Sequence, residues 1–252
     1  MDPRTRLSEL VDVLRSDGRI DVAEAATRFG TAEMTIRRDL DVLVERGLAR
    51  RVRGGALSLL MAGEELPFAM RELESVAAKR RIAAAVADLL LDGEAVALDS
   101  GTTAVEIARA LHGKRLTVIP LSLHVASACA GAGDIRLIVP GGEIRPGELA
   151  MVGPLTANAL ASLRVDTAVI GSCGVTPEGQ VLAHDLGDAA VKQALLASAR
   201  RSILTVDGAK FGRPALAVVA ALSTFDVVVT DDTAPEDALE RLRSAGVEVH
   251  RV

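Results

Sequence analysis

Hydroxyl side chains surround a glycine in the run Asp99-Ser100-Gly101-Thr102-Thr103, directly after the apolar residues 95–98. A helix that begins there would direct its unpaired backbone N–H groups toward one point, and the glycine would let a ligand approach the backbone closely. Amide and hydroxyl donors at a helix start are groups that bind phosphate. The run therefore predicts an anion site, with phosphate as the expected ligand.

Three further glycine-containing loops follow apolar stretches of strand length, and they lie at 140–142, 171–174 and 207–212. One such loop by itself is typical of an ordinary turn. In a parallel sheet, however, ligands collect outside the carboxyl ends of the strands, so four loops at equivalent ends favour a shared ligand site. The residues that we assign to this site from the three loops are Gly142, Gly171, Gly174 and Lys210.

The charged residues that could accompany the anion site are Asp99, Asp188, Lys192 and Lys210. Together they could catalyse an aldose–ketose isomerisation, in which a carboxylate moves a proton and a lysine stabilises the enediolate. Three of them also have a structural interpretation: Asp99 caps a helix, Lys192 is solvated or holds a carboxylate, and Lys210 lies in a turn. Because groups that stabilise an enediolate also hold a sugar phosphate, we favour binding and keep the isomerase as the alternative.

The segment that begins at Thr31 predicts a helix. Thr31 is a suitable N-cap, and the chain runs from there to Arg46 without glycine or proline. Apolar residues recur at roughly helical spacing and are expected to face a small core. They are Met34, Ile36, Leu40, Leu43 and Val44.

The other side of the same helix carries polar and basic residues. Short polar side chains in a first turn can approach base edges in the major groove, and arginine forms bidentate bonds with guanine or phosphate. An ordinary surface helix with a solvated charged face is the alternative. The helix residues that we assign to DNA contact are Thr31, Glu33, Thr35, Arg37 and Arg38.

The flanking stretches indicate a winged helix-turn-helix. A short helix at about 21–29 and a turn at Gly30 come before the segment, and a strand or hairpin arm at 48–53 follows it. Arg51 and Arg53 on this arm are expected to contact DNA phosphates. A solvated edge strand is the alternative for the arm.

Charge and composition narrow the classes of partner. The formal net charge is −5, but residues 1–57 hold eleven arginines against ten acidic residues, so the acidic excess lies in the remainder. Six of the eleven arginines lie between residues 37 and 53, and they form the basic stripe that phosphate neutralisation requires. With no Trp or Tyr and only four Phe, the chain has little capacity to stack on unpaired bases, which argues against RNA or single strands. Two cysteines and four scattered histidines predict no disulfide framework, no metal site and no cofactor.

A length of 252 residues with 49% hydrophobic content predicts two domains. We place a winged helix-turn-helix at 1–57, an apolar and acidic linker at 58–74, and an α/β effector-sensing domain at 75–252. No apolar run approaches a membrane span and the N-terminus resembles no signal peptide, so a cytoplasmic protein without membrane contact is expected.

Beyond residue 74, helical patterns alternate with short, almost continuously apolar stretches. Such stretches are typical of strands in a parallel sheet covered by helices on both faces. The domain is therefore predicted to be α/β with a mostly parallel sheet. The predicted strands are 95–98, 116–119, 135–139, 167–170, 202–206, 227–230 and 247–252.

Two separated motifs carry a resemblance to a known family. Thr31–Leu40, which ends in Thr-Ile-Arg-Arg-Asp-Leu, and the later run Arg51–Ala56 resemble the DeoR-type family of bacterial transcriptional repressors. The C-terminal part resembles the family's sensor domain, which is related in fold to ribose-phosphate isomerases and coenzyme A transferases. The residues that carry this second likeness are Lys79, 99–103, Gly141-Gly142, Gly153, Gly171, Gly174, Val191-Lys192, Asp207 and 210–212.

The chain also departs from the family pattern. It has Thr31 where the family has Ser, and Arg53 where the wing often has His. Pro120-Leu121-Ser122-Leu123 replaces Thr-Asn-Ser-Leu, which removes an amide able to bond sugar hydroxyls, and Asp188 replaces Glu. The identity of the ligand therefore stays open.

The resemblance implies a repressor of sugar or carbon metabolism genes that a phosphorylated sugar, or a related metabolite, releases from double-stranded operator DNA. Paired half-sites require at least a dimer, so a homodimer or homotetramer is expected. The residues assigned to the effector are Asp99, Ser100, Gly101, Thr102, Thr103, Gly142, Gly171, Gly174, Asp188, Lys192 and Lys210.

Overall fold

The computed structural model describes residues 2–59 and 66–252, and the chain divides into two compact units between Glu74 and Ser75. Leu66 and Met70 fall in the stretch predicted to be a linker, yet both are buried in the core of the first unit. Residues 66–74 therefore belong to that unit. The part of the predicted linker at 60–65 lies outside the described residues.

The first unit is a winged helix-turn-helix, as predicted. Its helices and strands are α1 (Pro3–Asp17), β1 (Arg19–Asp21), α2 (Val22–Arg28), α3 (Glu33–Glu45), β2 (Ala49–Val52), β3 (Gly55–Ser58) and α4 (Phe68–Arg71). The strands pair antiparallel in the order β1-β3-β2, so β2 and β3 form the predicted hairpin arm. The sequence analysis missed β1, because three residues are too few to show an alternating pattern.

The turn of the hairpin depends on two glycines. Gly54 has a φ of +84°, a conformation that side chains with a Cβ rarely adopt. Gly55 packs directly on β1, and a Cβ at this position would lie 1.8 Å from the carbonyl oxygen of Ile20. The hairpin can therefore close against β1 only with glycine at Gly55.

The second unit is an α/β domain, and all of its residues are described. Its helices are α5 (Val76–Leu89), α6 (Thr102–Ala110), α7 (Leu123–Cys129), α8 (Pro154–Ala161), α9 (Leu186–Ser198) and α10 (Glu236–Ser244). Its strands are β4 (Ala95–Leu98), β5 (Leu116–Pro120), β6 (Ile135–Leu137), β7 (Glu143–Arg145), β8 (Ala150–Val152), β9 (Val165–Gly171), β10 (Gly174–Val175), β11 (Gln180–Ala183), β12 (Ala199–Thr205), β13 (Ala217–Ala221), β14 (Val227–Thr230) and β15 (Glu248–Arg251).

Seven of these strands form one parallel sheet in the order β15-β14-β12-β9-β4-β5-β6, which confirms the predicted fold class. The central strands are β4 and β9. Later strands add at the edges, β5 and β6 beyond β4, and β12, β14 and β15 beyond β9. The direction of winding therefore changes between β4 and β9. In open α/β sheets a ligand crevice forms outside the carboxyl ends of the strands at such a point.

Two small antiparallel sheets, β7-β8 and β10-β11-β13, were not predicted. Their strands are two to five residues long and too short for a periodic signal. Within the described residues, no helix is long and apolar enough to cross a bilayer.

Candidate functional site

Helix α3 places its predicted DNA-contacting residues on the solvent side. Ile36, Leu40 and Leu43 are fully buried, whereas Arg37 and Arg38 are exposed. The remaining assigned residues are Glu33, which is exposed, and Thr31 and Thr35, which are partly exposed.

Two predictions about α3 were wrong. Ala32, not Thr31, is the N-cap, with an extended backbone and no side-chain cap hydrogen bond. The backbone N–H of Thr31 instead donates to the carbonyl of Ala26 at 3.0 Å, which closes the turn after α2. Met34 was expected in the core, yet 60% of it is exposed. Each helical residue advances about 100°, so Met34 lies about 200° from the buried Ile36 and must face away from it.

Arg51 joins the hairpin arm to α3. Its guanidinium donates to Oδ1 of Asp41 at 2.5 Å and to the backbone carbonyl of Arg37 at 2.6 Å. The structure therefore gives Arg51 a protein partner in addition to its predicted phosphate contact. Arg37 also forms an exposed pair with Glu33 at 3.1 Å, of a kind that contributes little to stability and exchanges readily.

Arg38 and Arg53 differ from Arg37 and Arg51, which both have protein partners. Both are exposed, and neither makes an ion pair or hydrogen bond within the described residues. Among the described residues, neither guanidinium has a protein partner that it must leave in order to meet an anion.

A buried ion pair that the sequence analysis missed holds α3 against α1. Nε of Arg6 donates to Oδ2 of Asp39 at 2.6 Å, and both side chains are largely buried. Asp39 raises the pKa of Arg6 through this hydrogen bond, against the opposing effect of burial. The Asp of the Arg-Arg-Asp-Leu motif therefore orients the helix rather than facing solvent.

The second candidate site lies at the change of winding in the parallel sheet. Asp99 follows β4 and is buried, and its Oδ2 accepts the backbone N–H of Gly171, at the end of β9, at 2.9 Å. The two predicted loops thus meet through a hydrogen bond. Gly101 comes next, with a φ of +101°, and serves as the N-cap of α6.

The amino end of α6 presents donors beside Asp99. Gly101 has no side chain to accept the first-turn N–H groups of α6. Ser100, Gly101 and Thr103 are partly exposed, and Thr102 is buried. The N–H groups and the neighbouring hydroxyls are thus grouped at the carboxyl edge of the sheet.

Lys192 lies between two carboxylates. Its ammonium donates to Oδ2 of Asp99 and lies 3.3 Å from Oδ1 of Asp188, one turn earlier on α9. All three side chains are at most 5% exposed. Three of the four charged residues predicted to act together thus form one buried cluster, the Asp99–Lys192–Asp188 triad.

Two groups of the triad, Asp99 and Lys192, have shifted pKa values. Burial raises the pKa of the Asp99 carboxyl above its ordinary value; Lys192 opposes this rise and Asp188 adds to it. Burial alone would lower the pKa of Lys192, but the carboxylates of Asp188 and Asp99 outweigh it, so that pKa is raised. Two carboxylates that share one cation leave spare acceptor oxygens, which can bind ligand hydroxyl groups.

The remaining predicted residues do not join the triad. A Cβ at Gly142 would lie 2.0 Å from Oγ1 of Thr156, and one at Gly174 would lie 2.1 Å from the carbonyl oxygen of Arg213. Close packing therefore accounts for both glycines. Lys210 lies on a 3-10 turn after β12, and no hydrogen bond or ion pair of its ammonium is found within the described residues.

A second charged cluster, which the sequence analysis missed, lies next to the start of α9. Arg145 at the end of β7 donates to both Glu148 and Asp185. Asp185 is the N-cap of α9 and accepts the N–H of Asp188 at 2.8 Å. Hydrogen bonding with that N–H and the charge of Arg145 hold the pKa of Asp185 below its ordinary value, against the opposing effect of burial. The β7-β8 hairpin thus supports the helix that carries the triad, a contact that no local pattern could have revealed.

Family models match both units of the chain. A DeoR-like helix-turn-helix domain matches residues 6–60, and a DeoR C-terminal sensor domain matches residues 74–232. The chain is 30% identical over 243 residues to the glycerol-3-phosphate regulon repressor of Escherichia coli, with 96% of each chain covered. It is also 30% identical over 243 residues to the transcriptional repressor AccR of Agrobacterium fabrum, with 94% of each covered.

Among solved structures, ribose 5-phosphate isomerase A from Methanocaldococcus jannaschii is similar to 53% of the chain, with a TM-score of 0.40 and 18% identity. The similar part is 53% of that enzyme too. A likeness this distant carries no argument about activity.

A winged helix-turn-helix followed by an α/β sensor domain defines a DNA-binding transcriptional regulator. The chain belongs to the DeoR family of such regulators, as its two motifs predicted. The isomerase alternative is not supported, because the family and the curated relatives over the whole chain are regulators.

Proposed function

We propose that this protein represses sugar or carbon metabolism genes by binding operator DNA through α3 and the β2-β3 hairpin, and that a phosphorylated sugar or related metabolite releases it. The observation that carries the sensor half is the buried Asp99–Lys192–Asp188 triad beside the amino end of α6. The names of two relatives, the glycerol-3-phosphate regulon repressor and the transcriptional repressor AccR, agree with repression, and the first names a regulon after a phosphorylated metabolite.

On the DNA side, α3 enters the major groove with Thr35, Arg37 and Arg38 toward the bases, and the arm lies on the phosphates. Arg38 and Arg53 bind first, because neither has a partner to displace within the described residues. Arg51 keeps the arm in register with α3 through Asp41 and contacts phosphate with its remaining guanidinium N–H groups. Thr31 and Glu33 flank the contact at the start of the helix.

On the effector side, the phosphate group binds the first-turn N–H groups of α6 and the hydroxyls of Ser100, Thr102 and Thr103. The sugar hydroxyls donate to the spare oxygens of Asp99 and Asp188, while Lys192 lies between the two carboxylates and holds them in place. This division suits a ligand with an anionic end and a hydroxyl-bearing end. Lys210, on the neighbouring strand end, adds a positive charge at the edge of the site.

Release of DNA requires that the effector bind the DNA-free arrangement of the protein more tightly than the DNA-bound one. An effector with equal affinity for both would leave the equilibrium between them unchanged. Paired half-sites require two reading helices, so we infer a homodimer or homotetramer. We also infer a cytoplasmic location, where an operator is accessible.

The DNA half can be tested on duplexes selected from a random library with the full-length protein. Arg38→Ala should weaken binding by about 1–3 kcal/mol if it reads a base. Arg53→Ala should reduce the slope of log affinity against log salt by about one. Arg200→Ala is the matched control, because that side chain is 81% exposed in the other unit. If Arg38→Ala and Arg53→Ala bind DNA as tightly as the control Arg200→Ala, the surface of α3 and the hairpin is not the DNA interface.

The effector half can be tested by thermal unfolding with a panel of sugar phosphates, their unphosphorylated parents and inorganic phosphate. A ligand at about a hundred times its Kd stabilises its domain by roughly 2.7 kcal/mol. Ser100→Ala should weaken the response, whereas Ser162→Ala, which removes an exposed hydroxyl at the end of α8, should not. Stabilisation by the unphosphorylated parents alone would contradict the phosphate site.

A further inference from the structure

Met34 lies on the exposed face of α3, on the opposite side from the core. It is 60% exposed, whereas Ile36 and Leu43 are fully buried. At about 100° per residue, both buried residues lie roughly half a turn around the helix from Met34. The side chain is therefore directed outward from the helix, in its first turn.

The same face carries the two arginines of the motif one turn later. Arg37 and Arg38 are three and four residues beyond Met34, a spacing that places side chains next to each other on a helix. Met34 thus interrupts a charged face with an unbranched apolar side chain. The first turn of a recognition helix is the part that contacts base edges.

We propose that Met34 contacts the 5-methyl group of a thymine in the major groove and so selects a T·A pair at one position of each half-site. This inference rests on the proposed function, because it takes α3 to be the DNA-reading helix. Thymine is the base that presents a methyl group in the major groove, and an apolar side chain is the group that recognises it. Three rotatable bonds and a polarisable sulfur let methionine adapt to that methyl.

Single exposed methionines are ordinary on protein surfaces, and one that touches no base would have no effect on base preference. A methionine that contacts the methyl group predicts a specific preference for thymine. Because Met34 neither donates nor accepts a strong hydrogen bond, it distinguishes thymine from uracil, which differ only in the methyl group. The same contact gives no energy at a G·C pair.

The test uses full-length protein and duplexes selected from a random library. Each thymine of the selected site is replaced in turn by deoxyuridine, which removes one methyl and keeps the base pair. The wild-type protein should lose about fourfold in affinity at one position of each half-site, the factor that corresponds to about 0.8 kcal/mol for one buried carbon group. Met34→Ala should bind thymine and deoxyuridine duplexes equally at that position.

Two further variants separate this inference from the function on which it rests. Leu216→Ala removes a side chain that is 75% exposed in the other unit, and it should keep the wild-type preference for thymine. If no thymine is sensitive to deoxyuridine, or if Met34→Ala keeps the sensitivity, Met34 does not read a methyl. If Arg38→Ala also binds the selected duplexes as the wild type does, and Arg53→Ala does so as well, α3 and the arm do not bind the DNA and the proposed function itself fails.

Discussion

Replacement of Lys192 by methionine should strongly destabilise the C-terminal unit. The ammonium lies 3.3 Å from Asp188, donates to Asp99, and is as deeply buried as both carboxylates. Methionine has a similar length and no charge, so the variant leaves two carboxylates buried without a cation. Removal of one partner from a buried charge pair costs about 3–5 kcal/mol, a large part of the roughly 5–15 kcal/mol by which domains are stable. We expect a loss of about 3 kcal/mol or more at pH 8.

The loss should depend on pH in a defined direction. The pKa of Asp99 is already raised by burial in the wild-type protein, and removal of Lys192 takes away the charge that opposes this rise. A carboxyl whose folded pKa exceeds its unfolded value of about 4 is protonated preferentially in the folded state. Stability is then fully present below the unfolded pKa and falls as pH rises through the folded one. The deficit of Lys192→Met should therefore shrink between pH 8 and pH 5.

Urea unfolding followed by circular dichroism at both pH values measures the effect, and the transition of the larger unit has the larger dependence on urea. Lys210→Met is the matched control, because its ammonium makes no bond within the described residues, and we expect a change within about 0.5 kcal/mol. Asp99→Asn together with Lys192→Met removes one carboxylate and should recover part of the loss. A deficit under about 1 kcal/mol, or one equal at pH 5 and pH 8, would refute the reasoning.

Three further predictions concern the rest of the molecule. Arg6→Ala should destabilise the first unit by about 3 kcal/mol, measured by urea unfolding, because it leaves Asp39 largely buried without its cation; a change below about 1 kcal/mol would contradict this. Gly55→Ala should abolish binding to selected duplexes while the C-terminal unit keeps its melting temperature, because the added Cβ meets a backbone carbonyl at 1.8 Å and displaces the arm; retained affinity would show that the arm can adapt. Burial raises the pKa of Cys129 to about 11, so iodoacetamide at pH 8 should label the half-buried Cys173 first, as peptide mass spectrometry can determine; equal rates would contradict the burial of Cys129.

The order of the helices and of the main strands could be predicted from the sequence. Residues 95–98, 227–230 and the other predicted sheet strands are short apolar runs between amphipathic helices, and all seven take part in the parallel sheet. Glycine positions also carried information, because the hairpin turn needs at Gly54 a conformational freedom that other residues lack. The assignments of individual residues to DNA and to the effector stay predictions.

The errors have a common physical cause. Met34 was assigned to the core because it fits an approximate helical spacing, but the buried face of α3 is set by what packs on it, namely α2 and the β2-β3 hairpin. Leu66 and Met70 were assigned to a linker because Pro67 interrupts their pattern, yet both fill the same core. Local periodicity does not specify which surface a neighbouring element will cover.

The sequence by itself determined the two classes of chemistry, arginines on a helix and an arm, and hydroxyls and carboxylates at strand ends. These depend on local residue type and short spacing, which the chain order displays directly. Only the tertiary structure decided which charges meet. Asp99 and Lys192 are 93 residues apart and Arg6 and Asp39 are 33 apart, and a pairing over such separations depends on strand order and helix packing. Burial then determines the strength of each pair, because it removes the water that would otherwise screen the charges.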